Sequence, residues 1–141
     1  MTNALIPVDG SEVSLHAVQF MIEQIKHKRL SGLVVLTVQA PILSGNIKQF
    51  LNQETIDAYH QEEGEKALAP ARAMLDAAGI AYEAHMKVGH VAETIVEFAQ
   101  EKQCHSIVMG SRGQGSVVGM LLGSITTKVL YLATTPVTIV K

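Results

Sequence analysis

Two rhythms of apolar residues alternate along the chain: short continuous runs, and longer stretches in which apolar residues return every three or four positions. Ala4-Leu5-Ile6-Pro7-Val8 is such a run and ends at Asp9-Gly10-Ser11-Glu12, which predicts a strand stopped by a turn with Asp9 at its tip. Leu15, Val18, Ile22 and Ile25 then predict an amphipathic helix, with Ser11 or Ser14 as N-cap and Lys26, Lys28 and Arg29 near its C-terminus. Leu33-Val34-Val35-Leu36-Thr37-Val38 is unbroken and rich in β-branched residues, the pattern of a strand covered on both faces. Residues 41–49 read as a loop. Residues 55–78 read as a helix closed by Gly79, weakened by Gly64 and expected to kink or break near Pro70. Residues 80–88 form a third strand, and after Gly89 a helix places Val91, Ile95 and Phe98 on one side. Ser106-Ile107-Val108-Met109 is the fourth strand, residues 124–133 the last helix, and Pro136-Val137-Thr138-Ile139-Val140 the fifth strand.

Five strands alternating with four helices, each crossover long enough for a right-handed βαβ unit, predict an α/β fold. It is an open, doubly wound parallel sheet with helices on both faces. In the strand order 3-2-1-4-5 the sheet reverses between its first and fourth strands, and a crevice opens beyond their C-terminal tips. Asp9 and the loop after Met109 would form its walls.

Composition narrows the partners. The 141 residues, 48% of them hydrophobic, suit one domain with a layered core, and no repeat or linker divides them. A net charge of -2 and 4% aromatic residues argue against nucleic acid. No apolar run approaches the roughly 18 residues of a membrane span, no signal-peptide pattern opens the chain, and Cys104 is the single cysteine, so a cytoplasmic protein is expected. All 13 acidic residues lie at or before Glu101, whereas the remainder carries Lys102, Arg112, Lys128 and Lys141. The asymmetry is either chance or a sign that the C-terminal part faces an anion.

The segment from Gly110 to Ser124 places Gly113, Gly115, Gly119 and Gly123 between a buried strand and a helix. Glycines there let the backbone approach a ligand and turn N–H groups toward an anion, and a helix N-terminus adds partial positive charge. Ser111, Ser124 and Thr126 add hydroxyls and Arg112 a cation. A plain connector whose Ser124 caps the helix would have the same composition. Gly115 is followed by Ser116-Val117, so the lysine of a Walker A loop is missing. The spacing Gly113-x-Gly115-x3-Gly119 follows the fourth strand, not the first, and no acidic residue lies downstream to hold a ribose, which disfavours a Rossmann dehydrogenase.

In register, Gly110, Gly113, Gly123 and Ser124 match G-x2-G-x9-G-[S/T], and the segment thereby resembles the ATP-binding signature of universal stress proteins. Ile6-Pro7-Val8-Asp9-Gly10-Ser11, Val35-Leu36-Thr37-Val38 and Thr135-Pro136-Val137-Thr138-Ile139-Val140 resemble that family's first, second and closing strands. The resemblance implies that Asp9 and Val38 hold an adenine, with Pro7 and Val8 lining its pocket. Gly110, Arg112, Gly113, Gly123, Ser124, Ile125 and Thr126 would surround ribose and phosphates, with Met109 beside the sugar. Asp9 has a second reading, an Asx-turn or a helix cap. The implied ligand is ATP, or AMP or ADP, with Mg2+ through the phosphates. The implied activity is a nucleotide-dependent stress-response or signalling module with little or no turnover. A slow ATPase or self-phosphorylating enzyme and a nucleotide-free dimeric interaction protein are the alternatives. The resemblance also implies a homodimer through Val137–Val140, an apolar edge strand that pairing would cover.

Other residues point to packing. His85 and His90 lack ligand spacing, Cys104 has no activating base and reads as a small residue before the fourth strand, and His16, His27 and His60 read as solvent-facing. Met120-Leu121-Leu122 makes an apolar loop tip, suited to a lid, to a partner subunit or to packing on its own domain.

Overall fold

The computed structural model describes residues 3–28, 32–42, 52–113 and 121–141. Met1, Thr2, Arg29, most of the expected loop at 41–49, and Gly115, Gly119 and Met120 lie outside the described residues. The elements are β1 (Ala4–Pro7), α1 (Glu12–Lys28), β2 (Leu33–Gln39), α2 (Gln53–Ala77), β3 (Glu83–Val88), α3 (Val91–Glu101), β4 (Ser106–Gly110), α4 (Ser124–Leu132) and β5 (Val137–Val140). The strands form one parallel sheet in the order β3-β2-β1-β4-β5, as the alternation of strands and helices predicts.

Because strand side chains alternate, the sheet feeds two cores. Ile6, Val8, Leu33 and Val35 pack beneath α1 and α2 with Val18, Ile22, Leu68 and Leu75, and Leu15 and Ile25 join from α1. Leu5, Val34, Leu36, Ile107 and Met109 pack on the other face beneath α3 and α4 with Ile95, Phe98 and Val129. β2 is thus buried on both faces, the condition its unbroken apolar run requires.

Three features of α2 depart from expectation or explain it. The helix continues through Pro70 without a break. Buried residues on both sides of the proline, Gly64, Ala67, Leu68, Ala71 and Leu75, hold the helix on the sheet. The carbonyl that loses its partner belongs to Lys66, an exposed residue where water can serve. His60 is buried rather than solvent-facing, its Nε2 3.3 Å from the Ala40 carbonyl. It stands four residues before Gly64 and so belongs to the same buried stripe. Gly64 itself admits the Met86 side chain into the space a β-carbon would fill.

Local signals set the ends. Asn52 caps α2 by accepting from the Thr55 N–H at 2.8 Å. At the other end Gly79, with φ of +69°, donates to the Asp76 carbonyl while Ile80 donates to that of Leu75, a Schellman closure. Ile80 is thereby used in the cap, which is why β3 begins at Glu83 and not at residue 80. Cys104 is buried beside α3, and that burial pushes its thiol pKa up.

Candidate functional site

The crevice begins where two strands part. β1 pairs with β2 from Ala4 to Pro7, but with β4 only at Ala4↔Ser106 and Leu5↔Ile107. Ala4 and Val8 donate their N–H groups to β2, at Gly32 and Leu36, so the two-residue period aims the nitrogen of Pro7 toward β4. Proline has no hydrogen to donate there, and the ladder ends. Beyond it Asp9 and Gly10 turn the chain, Gly10 with φ of +83°, into α1 on one face. β4 continues to Gly110 and leads to α4 on the other face.

Between the parted tips lies a crevice open to solvent. All of Pro7, Val8, Asp9, Val38, Met109, Gly110, Arg112, Gly113, Gly123, Ser124, Ile125 and Thr126 line it. Four further residues line it that pattern reading did not single out: Ser14, Leu36, Val91 and Ile95. Leu36 and Val38 share one face of β2, and Val91 and Ile95 share one face of α3 by their spacing of four. That periodicity was the available signal. Val8 contributes backbone, since its side chain belongs to the core beneath α1 and α2.

The glycine segment is fastened at its neck. Gly123 N–H donates to the Ser111 carbonyl at 2.8 Å, and the Thr126 hydroxyl donates to the Gly110 carbonyl at 3.1 Å. Thr126 therefore uses its one hydroxyl hydrogen inside the protein. Ser111 is buried, its N–H donates to Val140 at 2.9 Å, and it does not line the crevice; its expected contribution of a hydroxyl there is not met. A β-carbon on Gly110 would stand 2.6 Å from the Val13 carbonyl oxygen, so glycine is needed where β4 crosses the first turn of α1. Gly113 is needed for a different reason: its missing side chain leaves room for the Asp9 carboxylate.

The polar end of the crevice suits an anion. Gly123 is the N-cap of α4 and has no side chain to accept from the first-turn N–H groups of Ser124, Ile125 and Thr126. The Ser124 side chain is exposed beside them, and Arg112 lines the same crevice. The other end is apolar, with Leu36, Val38, Val91, Ile95 and Met109. Lys128 of α4 pairs with Glu93 of α3, and this hydrogen-bonded ammonium holds the Glu93 carboxyl below the usual carboxylate range. Lys102 lies 3.4 Å from Glu83. The positive charges late in the chain are thus partly met by acids from earlier in it, and of the four only Arg112 lines the crevice.

Asp9 realises its second reading as well. Its Oδ1 accepts from Ser11 N–H at 2.9 Å and from the Ser11 hydroxyl at 2.5 Å, an Asx-turn leading into α1. Its Oδ2 lies against Gly113. Ser11, not Ser14, caps α1, accepting from the Ser14 N–H at 3.3 Å. At the loop tip, Leu121 is 72% exposed.

The architecture defines a doubly wound α/β protein with its ligand crevice at the point where the sheet reverses. The model of the universal stress protein family matches residues 1–141, and the chain belongs to that family. Universal stress protein MJ0531 of Methanocaldococcus jannaschii is 34% identical over 137 residues, spanning 97% of this chain and 80% of that protein. The solved structure of the protein MJ0577 superposes with a TM-score of 0.82 at 25% identity, over 99% of this chain and 95% of that one. A universal stress protein solved in complex with cAMP superposes with a TM-score of 0.72, also at 25% identity, over 99% of this chain and 97% of that one. No helix among the described residues is long and apolar enough to cross a membrane.

Proposed function

We propose that the crevice holds an adenine nucleotide, ATP or else AMP or ADP, and that the chain works as a nucleotide-dependent stress-response or signalling module with little or no turnover. One observation carries this reading: an apolar slot and an uncapped helix N-terminus meet in a single crevice. Leu36, Val38, Val91 and Ile95 offer walls for a planar base, and the first turn of α4 with Arg112 offers donors and charge for phosphates. The cAMP complex of a similar protein supports the adenine preference. Asp9, an acceptor, addresses hydroxyl or amino donors of the nucleoside.

Asp9 is the one carboxylate lining the crevice among the described residues, and no histidine there lines it. With Asp9 engaged by Ser11, this arrangement favours holding a nucleotide over activating water. Mg2+ would be held by the phosphates and its own waters, with the Ser124 hydroxyl the protein group best placed to help. The chain acts as a single unit in the cytoplasm and as a homodimer. Among the described residues β5 pairs only with β4, and Val137, Ile139 and Val140 are half-buried at that edge.

Identification of any small molecule released on denaturing the purified protein, followed by calorimetric titration with ATP, AMP and GTP, tests the reading. ATP is expected to bind at least about tenfold more tightly than GTP, a difference of about 1.4 kcal/mol. Absence of binding to any adenine nucleotide would overturn it. Sedimentation of wild type beside Ile139→Pro, which removes an outward-facing N–H from the free edge of β5 while leaving the β4 ladder its donors, tests the dimer.

A further inference from the structure

Asp9 reaches the crevice with support behind it. Ser11 donates to its Oδ1 twice, from the backbone N–H at 2.9 Å and from the hydroxyl at 2.5 Å. Ser11 is itself built into the first turn of α1. Its hydroxyl accepts from the Ser14 N–H at 3.3 Å, and its carbonyl accepts from the Ser14 hydroxyl at 2.8 Å and from the Leu15 N–H at 3.3 Å. The helix it starts is anchored in the core through Ala17, Val18, Met21 and Ile22. An ordinary N-cap serine needs only to accept from the helix; here the same hydroxyl also spends its single hydrogen on Asp9. Ser11 does not line the crevice.

We infer that Ser11 is the positioning residue for Asp9: it ties the carboxylate to the rigid start of α1, so that Asp9 meets a nucleoside in one orientation without ordering on binding. This rests on the adenine-nucleotide reading of the crevice. A carboxylate on a short side chain otherwise samples several staggered rotamers, and each must be lost when a ligand binds. The two Ser11 donors narrow that freedom beforehand. They act on Oδ1, while Oδ2 lies against Gly113.

A double-mutant cycle with ATP as the probe tests the inference. Ser11→Ala is expected to weaken binding about tenfold and Ser11→Thr to restore it, whereas in an Asp9→Ala background Ser11→Ala should weaken it no further. A helix cap with no link to Asp9 would instead lower stability and leave the two substitutions additive in affinity, which would overturn the inference. Three-bond couplings about χ1 of Asp9 in ligand-free protein give a second readout. One rotamer is expected in wild type and Ser11→Thr, and averaged couplings in Ser11→Ala; an unchanged rotamer in Ser11→Ala would also overturn it. Failure of wild type to bind ATP would count against the functional reading, and the couplings would still decide the role of Ser11.

Discussion

The two faces of the sheet are covered by helices of different length. α1 has 17 residues and α2 has 25, about 26 and 38 Å of helix. α3 and α4 have 11 and 9 residues, about 17 and 14 Å, and on their side the parted tips of β1 and β4 remain open as the crevice. The same pleated sheet therefore carries its longer helices on one face and its shorter ones, beside the crevice, on the other. Glycines mark two kinds of close approach, to backbone at the rim of the crevice and to a side chain beneath α2.

The largest contrast is expected at Gly110. Gly110→Ala drives a methyl into the Val13 carbonyl, backbone that cannot swing aside, and should destabilise the protein by about 3 kcal/mol in urea unfolding while abolishing nucleotide binding. Retention of both would mean that β4 and α1 can separate at no cost. Next, Gly113→Val should leave the unfolding midpoint near wild type but weaken ATP binding about 100-fold, some 2.7 kcal/mol, because its side chain displaces the Asp9 carboxylate. Equal ATP affinity in both proteins would remove the glycine segment from the site.

Away from the crevice, beneath α2, the corresponding change is milder. Gly64→Ala meets only the flexible end of Met86 and gains about 1 kcal/mol of helix propensity, so stability should change by no more than about 1 kcal/mol in either direction, with ATP affinity unchanged. A loss as large as that of Gly110→Ala would erase the distinction between a glycine set against backbone and one set against a flexible side chain.

The smallest effect belongs to the Glu93–Lys128 pair, which joins α3 to α4 at the surface. Lys128 lowers the Glu93 pKa in the folded state, so the pair's contribution is complete above the unfolded carboxylate value of about 4.3 and fades as pH falls through the lower folded value. Glu93→Gln should therefore cause a slight loss of thermal stability at neutral pH that disappears in acid. An equal loss at both pH values would show that the ion pair is not its source.

Much of this organisation was legible before any coordinates. The unbroken run of β2, the three-and-four spacing of α1 and Gly79 as a helix stop are local signals, and each appears where the pattern put it. The continuity of α2 through Pro70 was not legible, because the packing that overrides the proline comes from residues far along the chain. The burial of His60 was missed although its spacing to Gly64 was in view, since a histidine on a helix is ordinarily weighed as a surface residue. In the crevice, Asp9 and the glycine segment stood out by chemistry, whereas Leu36, Val91 and Ile95 are apolar residues indistinguishable from core until the sheet is assembled.

The sequence by itself determined the elements, their alternation and the glycine spacing, since these depend on residue periods and backbone preferences acting over a few positions. Tertiary structure decided which charges remain available, because Glu93 and Glu83 meet Lys128 and Lys102 only after folding. It also decided what each polar group has left to offer. Thr126 is spent on Gly110 and Ser11 on Asp9, and hydrogen bonds between distant turns are set by the packing that brings those turns together.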